Sequence, residues 1–282
     1  MNAHTVAVLA PAKSHRLSLL GVAGRAALAA ALFGVIVGPL AGLVVWSVAE
    51  RWHWPALIPQ EVGLKYWARI TRGDLFGALT RGVTIAVITT VLALITAVPV
   101  SYAAARRRLP LGPLVLMLFL LPQAFPQLPV FASAAVLFYR WNLAGTVPGV
   151  VLIHLVGGLV YAVWTMTAVF RAIGEDLEEA AINLGASLTR TFFHIALPLA
   201  TPGIVASGIL VFIYSLDEFT GTLLVGAPYV TTLPVYMYTA SLGYEMQIAS
   251  VTALVLMAPG LILLLLMERF LRAEYLAFFG RL

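Results

Sequence analysis

The sequence predicts an all-α polytopic membrane protein with about six transmembrane helices and both ends in the cytoplasm. Three observations predict it. Of 282 residues, 61% are hydrophobic and only 10% are charged, whereas a soluble domain is about a quarter charged; mean hydropathy is +0.98. The apolar residues gather into runs long enough to cross a hydrocarbon core of about 30 Å as helices, and a lone segment in lipid satisfies its own backbone only as a helix. Sorting the 17 Lys and Arg with both ends inside puts eleven in the cytoplasm and six outside, the positive-inside bias. No polar stretch is long enough for a second soluble domain. The chain has no cysteine, so it has no disulfide and no thiolate metal site, and its net charge of +5 is no argument for nucleic acid.

Residues 1–24, with Lys13, His15 and Arg16, read as a cytoplasmic N-terminal tail; 25–270 form one transmembrane domain; 271–282 form a cytoplasmic C-terminal tail. The first span covers 26–49, too long for a cleavable signal peptide. Gly34, Gly38 and Gly42 give it a small-residue face, for a subunit interface or for packing within one subunit. Residues 50–81 return to polar character. Trp46, Trp52, Trp54, Tyr66 and Trp67 cluster there as aromatics do at a membrane surface, and Lys65, Arg69, Arg72 and Arg81 suggest a helix along the interface. Span two, 83–105, ends at the inside marker Arg106-Arg107-Arg108. Span three, 111–138, holds Pro122, Pro126 and Pro129 with Gln123 and Gln127 between them. Prolines kink a helix, and broken backbone at membrane depth must be covered by protein or line a wet cavity. The glutamines therefore face a pathway, or the helix is only structurally kinked. Tyr139-Arg140-Trp141 marks the outer surface. Span four, 147–170, carries His154, either a helix–helix hydrogen bond or a ligand. Span five is 197–225, 226–246 is a tyrosine-rich outer loop, span six is 247–267, and Glu268 to Arg272 return to the cytoplasm.

The loop 171–196 is the polar centre of the chain. Glu175, Asp176, Glu178 and Glu179 stand in the first turns of a short helix, where free N–H groups favour carboxylates. Leu177, Ala180, Ala181 and Leu184 make one apolar stripe. Gly185 supplies a left-handed stop, and Thr189 is a candidate N-cap for the next helix. The product is a docking knuckle, its alanines a low ridge and its carboxylates partners for a basic groove. A second polar cluster, Ser215 to Thr220, lies in span five. Carboxylates inside an apolar run cost a few kcal/mol each. Asp217 falls about 28 Å along the helix from Pro198 at 1.5 Å per residue. Ser207, Tyr214, Glu218 and Thr222 share a stripe with Asp217 beside it. Two carboxylates there suit a cationic substrate such as a polyamine, or else bond to backbone, to a partner helix or in the outer interface.

Glu179-Ala180-Ala181, Gly185-Ala186 and Ile195-Ala196-Leu197-Pro198 stand at the spacing of the EAA loop. The chain thus resembles the inner-membrane permease subunits of bacterial ATP-binding cassette importers. The resemblance implies the type I importer permease fold in a multi-pass protein of the bacterial inner membrane. It makes 171–196 a coupling loop gripped by a separate ATPase dimer, with Glu178, Glu179, Ala180, Ala181, Leu184, Gly185 and Ala186 as coupling residues. The run 216–241 with 247–257 is similar to permeases for spermidine and putrescine. In that branch two sister permeases pair and a periplasmic solute-binding protein delivers the solute; other members carry aminophosphonates, iron or sulfate. The pathway residues expected are Tyr214, Asp217, Glu218, Thr222, Gln123 and Gln127. Neither lysine follows a glycine, so no P-loop is present. ATP and Mg therefore belong on the partner, and this chain is a transport subunit, not an enzyme, with no catalytic residue, metal or cofactor of its own. The competing class is a proton-coupled secondary transporter using Asp217, Glu218 and His154, which would need an inverted repeat the chain does not display.

Overall fold

The computed structural model describes residues 19–279 apart from 54, 107 and 108, and no side chain within 19–23 or 267–279. The expectations for Lys13, Arg16, Trp54, Arg107, Arg108, Arg281 and the side chains of Glu268 to Arg272 lie outside the described residues. The chain divides into one unit of residues 1–43 and a second of residues 44–282. The first is carried by helix α1 (Leu19–Val48), and the glycine face at Gly34, Gly38 and Gly42 belongs to it.

The second unit opens with a small antiparallel ribbon, β1 (Ala49–Arg51) on β2 (Glu61–Val62), in which Ala49 faces Val62 and Arg51 faces Glu61. Trp46 stacks on Trp52 with ring centroids 4.3 Å apart, and Trp67 Nε1 donates to the Ser47 carbonyl at 3.0 Å. The aromatic cluster therefore ties the first loop down. The interfacial helix expected across 65–81 is absent: a single 3-10 turn, Trp67–Thr71, is followed by extended Arg72 and by Gly73 at φ 67°. From that glycine, helix α2 (Gly73–Ala105) runs unbroken, so Arg81 belongs to span two, which starts well before residue 83.

Helix α2 packs against α5 (Val147–Ala172) and α8 (Leu197–Asp217), which also pack on each other. Small residues hold the contact: Ala93, Ala97 and Ala162 are fully buried with Val163 and Val211. Ser101 Oγ donates to the Val163 carbonyl at 2.9 Å, a polar tie between α2 and α5. Thr146 caps α5 by accepting from Gly149 N–H at 3.1 Å, with Pro148 in the first turn.

Span three is not one kinked helix. It is α3 (Gly112–Ala124) and α4 (Gln127–Arg140), which meet at 101°. Before Pro126, Phe125 is extended, φ −113° and ψ 152°, the conformation that a following proline favours, and α3 ends there. Among the described residues the spans count five, or six if this bent pair is one. Span five also differs. It begins with α7 (Leu188–Thr191), passes a π turn at Phe192–Ala196 and ends at Asp217. The wide turn suits Pro198, which cannot donate to the carbonyl four residues back. Residues 226–246 are not merely a loop: α9 (Leu233–Leu242) packs against α10 (Met246–Phe279), with Leu233 and Val235 buried. Helix α10 carries on through 268–272, where the chain was expected to leave the membrane.

Candidate functional site

The knuckle is α6 (Asp176–Asn183) between α5 and α7. Asp176, Glu178 and Glu179 occupy its first turn, as the helix dipole favours. Its end is a Schellman motif. Gly185 N–H donates to the Ile182 carbonyl at 2.9 Å and Ala186 N–H to the Ala181 carbonyl at 3.0 Å, with Gly185 at φ 91°. The N-cap of α7 is Ser187, whose Oγ accepts from Arg190 N–H at 3.3 Å, and not Thr189, which sits inside the turn. Leu177 is 59% exposed and Leu184 90%. With Glu179, Ala180 and Gly185 also exposed, and Ala181 and Ala186 half-buried, the expected apolar ridge faces outward.

Glu178, expected as an outward coupling residue, faces the other way. Its carboxylate turns inward and is 3% exposed. Arg106 at the end of α2 donates to Glu178 Oε1 through Nη2 at 2.5 Å and Nε at 3.1 Å, and Tyr102 Oη donates to Oε2 at 2.6 Å. It therefore cannot be a partner for a basic groove elsewhere. Sequence reasoning placed Arg106 only as a topology marker and passed over Tyr102. A tyrosine one turn before an arginine at a helix end was the available signal.

The second site is a cavity of about 450 Å³ lined by Gln127, Tyr161, Leu210, Ile213, Tyr214, Asp217, Glu218, Phe219, Thr220 and Leu264. Four expected pathway residues, Gln127, Tyr214, Asp217 and Glu218, meet here. Gln123 and Thr222 are not in its wall. The Tyr161 and Tyr214 rings lie 5.1 Å apart. Tyr214 Oη is buried without a hydrogen-bond partner among the described residues and abuts Gly157. Asp217 is exposed to the cavity.

The two adjacent carboxylates part company because α8 ends between them. Glu218 turns extended, with ψ 119°, and its side chain accepts from Gly221 N–H at 2.8 Å and Thr222 N–H at 3.0 Å. The carboxylate thus takes up two amide N–H groups where the π turn Thr222–Gly226 begins. His154, fully buried on α5, is hydrogen-bonded through Nδ1 with Ser215 Oγ at 2.8 Å and through Nε2 with Thr222 Oγ1 at 2.7 Å, and Nε2 lies 3.2 Å from Glu218 Oε2. Glu218 and Thr222 therefore do not share a stripe with Tyr214 on one continuous helix. Of the readings left open, His154 makes the helix–helix hydrogen bond, and Glu218 bonds to backbone.

The family described as "Binding-protein-dependent transport system inner membrane component" matches residues 90–273. The trehalose transport system permease protein SugB of Mycobacterium tuberculosis (strain CDC 1551 / Oshkosh) is 33% identical over 219 residues, 76% of this chain and 80% of that protein. The molybdenum transport system permease protein ModB of M. tuberculosis (strain ATCC 25618 / H37Rv) is 30% identical over 238 residues, 76% of this chain and 86% of that one. A putative 2-aminoethylphosphonate transport system permease protein, PhnV of Salmonella typhi, is 27% identical over 233 residues, 82% of this chain and 88% of that one. These three name different solutes, none a polyamine. The crystal structure of a bacterial ABC transporter importing alginate has a chain with TM-score 0.68 at 17% identity, covering 92% of this chain and 99% of that one, a likeness of fold. The chain belongs to the inner membrane components of binding-protein-dependent transport systems, the integral permease subunits of ATP-binding cassette importers.

Proposed function

We propose that α6 is the surface on which a separate ATPase dimer docks, that ATP and Mg are held there and not by this chain, and that the spans alternate access as the dimer closes. The observation that carries this is the outward ridge of Leu177, Ala180 and Leu184 beside Glu179, held on the Gly185 corner. An apolar ridge of this kind, exposed on a short capped helix, fits a groove in a partner. A sister permease completes the pathway, and a periplasmic solute-binding protein supplies it. Replacing Gly185 by Asp forces a side chain into φ 91°, at a cost of about 1–3 kcal/mol. Gly185→Asp is expected to insert normally and to hydrolyse ATP in the assembled complex while transport is lost; normal transport by that variant overturns the docking role.

The solute reading is a cation of the spermidine or putrescine class. The cavity offers the Asp217 carboxylate, the Gln127 amide and the Tyr161 and Tyr214 rings, with no Lys, Arg or His in its wall among the described residues. An ammonium would pair with Asp217. A molybdate or phosphonate would bring negative charge to a carboxylate wall. A second reading is a neutral polyol, favoured by the paired tyrosine rings and by the relative named for trehalose. Stimulation of ATPase activity in the reconstituted complex, with the cognate binding protein, decides among spermidine, trehalose, 2-aminoethylphosphonate and molybdate. Spermidine is expected to stimulate. Asp217→Asn is expected to reduce that response roughly 10-fold or more, the worth of one charge-assisted hydrogen bond. Stimulation by trehalose selects the polyol, and stimulation by molybdate overturns both.

A further inference from the structure

A buried charge pair lies behind the docking ridge. Arg106 is 8% exposed and Glu178 3%. Such a pair adds little stability over apolar residues of the same volume, so stability alone is a poor account of it. The side-chain bonds it makes among the described residues link separate elements. Arg106 Nη1 donates to the Phe170 carbonyl at 2.6 Å and Nη2 to the Ile173 carbonyl at 3.3 Å. These belong to the free carbonyls at the end of α5, where a cation is favoured. The same guanidinium and Tyr102 Oη hold the Glu178 carboxylate of α6. The Tyr102 ring packs on Phe170 at 5.4 Å and on Phe192, in the turn that opens α8, at 4.8 Å. One cluster on α2 thus grips the end of α5, the first turn of α6 and the head of α8.

We infer that Arg106 and Tyr102 are positioning residues for coupling: through Glu178 they make α6 and the near ends of α2, α5 and α8 move as one body. A push on α6 is then delivered to the spans and does not merely swing the knuckle. The role needs a fork of donors. Arg supplies five N–H groups in a fixed plane, whereas Lys supplies a compact point charge that cannot reach two carbonyls and a carboxylate together. This inference rests on the proposed docking of an ATPase on α6.

The test uses the full complex in lipid nanodiscs, with cysteine-free partners. The chain has no cysteine, so Leu242→Cys, at the 62% exposed end of α9, carries the only environment-sensitive label. Mg–ATP with vanadate is the probe, so no knowledge of the solute is needed. The unaltered chain is expected to bind the ATPase and to change label signal on trapping. In Arg106→Lys and Tyr102→Phe the ATPase is expected to co-purify and still to trap vanadate, while the label response falls at least about fivefold, the lower range of coupling between sites. Tyr102→Phe keeps the ring packing and removes only the hydroxyl, which guards against a folding artefact. A full label response in both variants overturns the inference. So does loss of ATPase binding in Tyr102→Phe, which would make the cluster a folding requirement. Failure of the unaltered chain to bind an ATPase overturns the docking reading instead.

Discussion

Glu178 and Glu179 are neighbours with opposite surroundings. Adjacent positions on a helix point about 100° apart, so one carboxylate faces the bundle and its neighbour faces out. Glu178→Ala leaves the Arg106 guanidinium buried without its counter-ion, and breaking a buried pair costs about 3–5 kcal/mol. Glu179→Ala removes an exposed side chain and is expected to stay within about 0.5 kcal/mol. Thermal unfolding of the purified chain in detergent separates them: a clear fall in midpoint for the first and almost none for the second. Equal effects would remove the distinction drawn between them. Asp217 and Glu218 repeat the pattern for a different reason. There the helix itself stops, so one carboxylate stays with the cavity and the other turns back onto the Gly221 and Thr222 amides.

At the scale of elements, long apolar runs were legible because hydropathy and length fix a span whatever its neighbours do. Breaks were less so. Pro126 announces a disruption, but the 101° turn depends on how α3 and α4 find separate packing, and periodicity carries no such information. Helix α9 was hidden by its Pro234, by its tyrosines and by a length of ten residues, which read as an outer loop. The knuckle was legible down to the Gly185 corner, since a left-handed position at a helix end selects glycine. The inward turn of Glu178 was not, because it depends on Arg106, 72 residues away. The α5–α8 contact is a further feature set by packing. A Cβ added at Gly203 would overlap the Val169 side chain, whereas one at Gly260 on α10 would meet nothing within 4 Å. Gly203→Leu is therefore expected to destabilise by about 1–3 kcal/mol, the range for overpacking, and Gly260→Leu to have little effect. Resistance to proteolysis in detergent reads the difference, and a Gly203→Leu chain as resistant as the unaltered one refutes the close contact.

For the whole molecule, every functional statement depends on which side of the membrane α6 faces. The positive-inside bias is modest, eleven basic residues assigned inside against six outside, and the first outer loop works against it. Of those outer charges, Arg51 pairs with Glu61 at 2.7 Å, and Arg69 lies over the Tyr66 ring at 5.6 Å. Because it is lysine and arginine near span ends that orient a chain, the triplet 106–108 directly after α2 outweighs the dispersed charges of the first outer loop. Single cysteines in the cysteine-free chain test the outcome. Leu57, between β1 and β2, is 88% exposed and Leu184, on the knuckle, 90%, so accessibility to solvent is matched and only sidedness differs. In spheroplasts, a membrane-impermeant maleimide is expected to modify Leu57→Cys and to spare Leu184→Cys until the membrane is opened. The reverse order would put the acidic ridge in the periplasm, out of reach of any ATPase, and would leave the Arg106 cluster with nothing to transmit.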